Sequence, residues 1–140
     1  MKFNEDSRVK IPAILHCMRL GFEYISLKNQ NSEINEKTNI FSTIFLSTIQ
    51  KINPGITTSE AKQTLDEISL VLENEDLGRA FYKKLINKSG VRLIDFENFD
   101  QNTFHVVTEL TYKNGEDEFR PDITLLINGM PLIFIEVKKP

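Results

Sequence analysis

One cysteine, no tryptophan, five prolines and six glycines stand among 140 residues. The lone thiol, Cys17, excludes an internal disulfide and any cysteine-cluster zinc site, and it fits a reducing, cytoplasmic setting. No apolar run approaches the roughly 18–20 residues of a membrane span. The charged start, MKFNEDSRVK, also lacks the apolar stretch of a secretory signal, so a soluble protein without membrane contact is expected. Excess positive charge is missing too. The 17 Lys+Arg against 20 Asp+Glu leave a net charge of −3, whereas a domain that holds nucleic acid by phosphate neutralisation alone is usually basic. No G-x-x-x-x-G-K-[ST] phosphate loop and no G-x-S-x-G turn occurs, which excludes ATP hydrolysis and serine-nucleophile chemistry by those routes. What is present is 40% apolar residues, enough for one compact domain with its own core.

Polar and apolar residues alternate helically over 4–20. Val9, Ile14, Leu15, Met18 and Leu20 are available for one broad face, and Gly21 is placed as C-cap. Pro12 removes a main-chain donor, so the regular helix is expected to begin near Ile11. Phe22–Leu27 reads as a short strand and the Asn-rich stretch Lys28–Lys37 as a loop. Three further helices follow. The first has Thr38 or Asn39 as N-cap and carries Ile40, Phe41, Ile44, Phe45, Ile49 and Ile52 until Pro54-Gly55. The second has the S/T-x-x-E capping box Thr57-Thr58-Ser59-Glu60. The third, capped by Asn74, runs through Leu77, Phe81, Leu85 and Ile86 to Ser89-Gly90.

Beyond Gly90 the composition turns to β-branched and aromatic residues, which predicts strands at Val91–Phe96, Phe104–Tyr112, Ile123–Ile127 and Leu132–Val137. Asn128-Gly129 between the last two predicts an antiparallel hairpin, because a type I′ turn needs φ > 0 at both central residues. The continuous apolar run Leu132-Ile133-Phe134-Ile135 predicts a strand inside the sheet with both faces covered by helices.

Charged residues bound these apolar strands. Pro121-Asp122 opens one, and Glu136-Val137-Lys138 closes the other. Glu136 and Lys138 are two apart and share a face, and the hairpin returns Asp122 beside them. Two carboxylates suit Mg²⁺, which keeps several waters and takes few protein ligands. A lysine beside them can orient or deprotonate an attacking water and stabilise charge on a phosphate. This is the layout of a metal-dependent phosphodiesterase; the blander alternative is that all three are polar strand ends. An unbroken two-residue hairpin would put Asp122 opposite Ile135 and Glu136 opposite Pro121, with the carboxylates on opposite faces. A shared metal therefore predicts a bulge, a different loop length, or an Asp122 that leaves the ladder, helped by Pro121, which cannot donate to it.

The run from Phe119 to Lys138, FRPDITLLINGMPLIFIEVK, resembles the PD-(D/E)xK nuclease core of the restriction (R) subunit of type I restriction-modification enzymes. Asn4-Glu5-Asp6-Ser7-Arg8-Val9 with the following Ile-Pro-Ala-Ile-Leu helix, Asn74–Arg79 and Leu93-Ile94-Asp95-Phe96 are similar to the N-terminal region of such subunits. The resemblance implies an α/β (mixed α+β) fold of the restriction-endonuclease type, a mixed sheet with flanking helices. It would be one N-terminal domain over 1–140, with a helical insertion at about 38–88 and no motor domains.

The same resemblance implies that Asp122 and Glu136 bind Mg²⁺ with the Val137 carbonyl as a further ligand, and that Lys138 is the catalytic lysine. Glu5 would be an accessory acidic residue on the first helix, or simply a partner of the helix dipole. Implied partners are DNA and the methyltransferase and specificity subunits of a restriction complex, the last of which reads the DNA sequence. ATP would act only through domains outside this chain. The family's Gln-x-x-x-Tyr motif and translocase domains do not follow Lys138, so the chain reads as an N-terminal fragment, truncated after the catalytic hairpin, with part of the cover of Leu132–Val137 missing. The alternatives are a catalytically silent assembly module of the same complex, or an unrelated PD-(D/E)xK repair or junction nuclease.

Other candidates are weaker. His16 and His105 have no ligand-spaced carboxylate or cysteine and read as surface or satisfied histidines, and Cys17 reads as an inert core thiol. Phe41, Phe45 and Phe81 are expected in the core and not as base-stacking platforms. Arg120 and Lys139 could touch a phosphate.

Overall fold

The computed structural model describes residues 6–28 and 33–138. The chain divides into two compact units: Met1–Asn31 with Phe104–Ile127 and Pro131–Pro140, and Ser32–Thr103 with Asn128–Met130. The helical segment expected at about 38–88 falls within the second. No helix among the described residues is long and apolar enough to cross a membrane.

The first unit holds the sheet. A π-type turn, Asp6–Lys10, runs into α1, Ile11–Arg19, with Pro12 in the first turn of α1, the part of an α-helix that tolerates proline best. The strands are β1 (Glu23–Ile25), β2 (Phe104–Thr108), β3 (Tyr112–Asn114), β4 (Asp117–Phe119), β5 (Ile123–Ile127) and β6 (Met130–Ile135). Four form a mixed sheet in the order β1-β2-β5-β6. β1 runs parallel to β2, Glu23 opposite His105, and β2 antiparallel to β5, from Phe104 opposite Ile127 to Thr108 opposite Ile123. Cys17, Val106, Ile123, Leu125 and Val137 form its core, with Val9, Ala13, Ile14, Phe22 and Ile135 packed around them.

Two expectations need correction here. The apolar face of α1 is narrower than its composition suggested: Leu15, Met18 and Leu20 are exposed, because the buried stripe runs through Val9, Ala13, Ile14 and Cys17. β6 lies at the edge of the sheet among the described residues, and Ile133 and Phe134 are about half exposed. A continuous apolar run specifies strand without specifying what covers it. Cys17 is buried as expected, and burial pushes its thiol pKa up.

His105 carries a testable consequence. Its side chain is nearly buried, with Glu23 Oε2 at 3.8 Å from Nε2. Burial lowers its pKa below the usual 6.5, and the Glu23 charge offsets this only in part. The unfolded chain therefore takes up this proton at higher pH than the folded one, so the stability His105 confers is present above the unfolded pKa and is lost as pH falls through the folded one. Urea midpoints at pH 7.5 and pH 5 should fall further for the native protein than for His105→Gln; equal falls would refute the assignment.

The second unit contains α2 (Ser42–Ile52), α3 (Thr58–Leu72) and α4 (Arg79–Leu85). The capping box of α3 forms as read: Glu60 N–H donates to Thr57 Oγ1 at 3.1 Å and Thr57 N–H to Glu60 Oε2 at 2.7 Å. The other two helices start later than their periodicity suggests. Asn39 has φ 57°, and Asn35 Oδ1 accepts from the Lys37 and Thr38 N–H groups, so a turn occupies these residues and α2 begins at Ser42. Leu77 and Gly78 have φ 57° and 79°, which delays α4 to Arg79, while Asp76 Oδ2 accepts from Ala80 N–H at 3.0 Å. Ile40, Phe41, Phe45, Ile49, Ile52 and Ile68 supply the core, so Phe41 and Phe45 are packing residues.

Val91–Phe96 is not a strand. Its main chain is met by asparagine side chains. Asn53 accepts from Arg92 N–H at 2.7 Å and donates to Arg92 O at 2.8 Å. Asn102 does the same for Asp95, at 2.9 Å each way. Asn128 Nδ2 donates to Leu93 O at 2.8 Å and to Asn102 Oδ1 at 2.9 Å, while its Oδ1 accepts from Thr103 N–H at 2.8 Å. Buried main-chain groups need partners, and here amides replace a neighbouring strand.

Candidate active site

The β5–β6 turn is the two-residue one the sequence calls for, with φ 53° at Asn128 and 78° at Gly129. At the other end of the hairpin the regular ladder stops. β5 starts at Ile123, which leaves Asp122 outside it, and β6 ends at Ile135. Across this frayed end Val137 N–H donates to Asp122 Oδ2 at 3.0 Å. In an uninterrupted hairpin from a two-residue turn, the residues of β6 whose N–H groups face β5 are Met130, Leu132, Phe134 and Glu136, and Val137 would point its N–H away. The bond to Asp122 shows that this phase is not kept to Val137. Asp122 outside the ladder is one of the three expected departures from a regular hairpin.

This bond fixes what surrounds Asp122. Val137 is buried, packed with Ile123 and Leu125 on the α1 side of the sheet, while Glu136 and Lys138 on either side of it are exposed. Asp122 is half-buried and reaches the stretch of chain that carries both. Pro121 is buried and Arg120 exposed, an alternation that turns Arg120 and Asp122 outward together. Glu5 and Lys139 lie outside the described residues.

The described residues hold no cluster of three or more His, Cys, Asp or Glu able to bind a metal. The donor set implied by the sequence, Asp122, Glu136 and the Val137 carbonyl, would be two carboxylates and a main-chain carbonyl. That set fits a hard cation that fills its remaining positions with water and substrate oxygens, and it does not fit a closed structural zinc site.

Two features beside the site escaped sequence reasoning. Tyr112–Asn114 and Asp117–Phe119 pair as a hairpin whose two loop residues are Gly115-Glu116, with Gly115 at φ 64° in the first position; the longer run Phe104–Tyr112 obscured it. Tyr112 and Phe119 pack on Phe134, with ring centroids 4.9 and 5.8 Å away. Phe134 is two residues before Glu136. Burial lifts the Tyr112 pKa to about 12, outweighing the nearby Thr124 hydroxyl. The second feature is an ionic cluster: the Glu109 carboxylate, at φ 60°, meets Lys10 Nζ on one oxygen and Arg120 Nε at 3.1 Å on the other. No local pattern could have joined residues so distant in the chain.

Similarity to known proteins extends over nearly the whole chain. The family model described as type I restriction enzyme R protein N terminus matches residues 2–140. The MjaIXP endonuclease subunit of Methanocaldococcus jannaschii, named for a type I restriction enzyme, is 33% identical over 163 residues that cover 99% of this chain and 16% of that protein. The MjaVIIIP endonuclease subunit of the same organism is 35% identical over 114 residues, covering 81% of this chain and 10% of the relative. The type I restriction enzyme HindI endonuclease subunit of Haemophilus influenzae is 30% identical over 112 residues, 66% of this chain and 10% of its own length. The chain thus spans a sixth or less of each of these relatives.

Proposed function

This chain belongs to the family of type I restriction enzyme R protein N termini, and on that premise we propose that it is the metal-dependent endonuclease module of such a subunit, hydrolysing phosphodiester bonds of unmodified DNA. The observation that carries the reading is the hydrogen bond from Val137 N–H to Asp122 Oδ2, which brings one carboxylate to the chain segment bearing the other and the lysine.

Asp122 and Glu136 would hold Mg²⁺, with the Val137 carbonyl as a third protein ligand. When bound, the ion supplies Lewis acidity toward a phosphate oxygen and a lowered pKa for water. The protein does the rest. The N–H of Val137 fixes one Asp122 oxygen and leaves the other for the cation. Lys138, two residues from Glu136, places an ammonium group where it can orient the attacking water and offset charge as the P–O bond to the leaving oxygen breaks. DNA cleavage would take place within a complex that includes methyltransferase and specificity subunits, with ATP used by other parts of the full-length subunit.

Calorimetry with Mn²⁺ on the full-length protein tests this. The native protein should give a saturable heat, and Asp122→Ala and Glu136→Gln should each weaken binding at least about tenfold, or ~1.4 kcal/mol. The same null heat for native protein and Asp122→Ala would overturn the enzymatic reading and leave a silent assembly module.

A further inference from the structure

Glu109 needs explaining twice over, for its backbone and for its side chain. It follows β2 directly and takes φ 60°, a conformation that residues with side chains rarely adopt. That geometry sends its carboxylate between two cations from distant parts of the chain. Lys10 comes from the turn before α1 with its side chain only 12% exposed, whereas Arg120, two residues before Asp122, is 63% exposed. Two cations around one carboxylate leave the cluster with a net positive charge beside a segment that carries two carboxylates.

How Arg120 is held determines what it can still do. Glu109 Oε2 pairs with it on the Nε side, at 3.1 Å as an ion pair, and among the described residues no hydrogen bond occupies its two Nη groups. A carboxylate paired on the Nε side leaves the outer fork turned away from it, and such a fork matches two oxygens of one phosphate. We propose that Glu109 is a positioning residue that presents the Nη groups of Arg120 to a DNA backbone phosphate next to the Asp122 carboxylate. The proposal rests on the nuclease reading for its ligand, DNA, and names a contact beyond the metal-binding residues. It also reconciles a chain of net charge −3 with a nucleic-acid partner, because one oriented arginine supplies attraction where the carboxylates repel.

The test is binding of a fluorescein-labelled DNA duplex by the full-length protein, followed by anisotropy in EDTA over a range of KCl concentrations, so that no cleavage intervenes. Arg120→Gln should weaken binding about fivefold and reduce the slope of log Kd against log[KCl] by about 1. Arg120→Lys, which keeps the charge without the fork, should not restore native affinity. Glu109→Gln removes a negative charge, yet it should weaken binding about threefold, and the double variant should be no weaker than Arg120→Gln alone.

Tighter binding by Glu109→Gln, as charge removal alone would give, overturns the proposal. So do single effects that multiply in the double variant. Should Glu109→Gln unfold, Glu109→Asp keeps the charge but shortens the reach, and binding as tight as native then overturns it. Failure of the nuclease reading would look different: DNA cleavage that survives loss of the Asp122 charge would sink that reading and leave this cycle standing.

Discussion

Gly129→Ala is expected to cost about 3–5 kcal/mol of stability, strain and overpacking combined. An added Cβ would lie 2.7 Å from Phe41 O and 2.9 Å from Phe45 N. Both are main-chain atoms, and Phe41 and Phe45 are fully buried, so neither can move aside. The contact is close because Phe41 N–H donates to Gly129 O at 2.9 Å, pulling the turn against the start of α2. The residue also has φ 78°. Gly115 separates the two effects. It has φ 64° in the β3–β4 turn, but a Cβ there would meet nothing within 4 Å, so Gly115→Ala should cost only about 1 kcal/mol. Urea denaturation of both variants is the measurement, and equal losses would show that close packing at Gly129 adds nothing to its strain.

Gly129 also illustrates how far local sequence could be read. Asn128-Gly129 announced its turn, and Thr57 with Glu60 announced the start of α3, because both signals are complete within four residues. The same dipeptide hides its larger role. The Asn128 side chain donates both amide hydrogens, to Leu93 O and Asn102 Oδ1, and accepts from Thr103 N–H, and nothing near it in sequence names these partners. Val91–Phe96 fails as a strand for the matching reason. Its composition is that of a strand, but the groups that satisfy its main chain are side chains of Asn53, Asn102 and Asn128, outside the segment itself. Propensity specifies which backbone is comfortable and leaves open what meets its polar groups.

The candidate site divides in the same way. Asp122, Glu136 and Lys138 stood out as candidates because ionisable groups at the ends of apolar strands need a reason to be there. Their geometry was half legible: regular pairing would have separated the carboxylates, so a departure at Asp122 could be required in advance, though not its form. The Val137 N–H supplies that form. Glu109 was not legible at all, since a glutamate after a strand is ordinary until Lys10, 99 residues earlier, and Arg120 are seen to meet it.

Asp122→Asn should lower DNA cleavage by the full-length protein about 10²–10³-fold while changing stability by less than about 1 kcal/mol. The separation follows from the two jobs of this side chain. One oxygen accepts the Val137 N–H at 3.0 Å, and an amide oxygen accepts the same bond, so the frayed end of the hairpin should keep its shape. Cation binding depends on charge, which the amide lacks. Asp122→Ala removes both functions and should lose stability as well as cleavage, because the Val137 N–H beside a buried side chain is left without an acceptor. Cleavage rates and urea midpoints measured on the two variants therefore distinguish a carboxylate needed for chemistry from one needed only to close the strand end. Native-level cleavage by Asp122→Asn would assign Asp122 the structural job alone and remove it from the metal site.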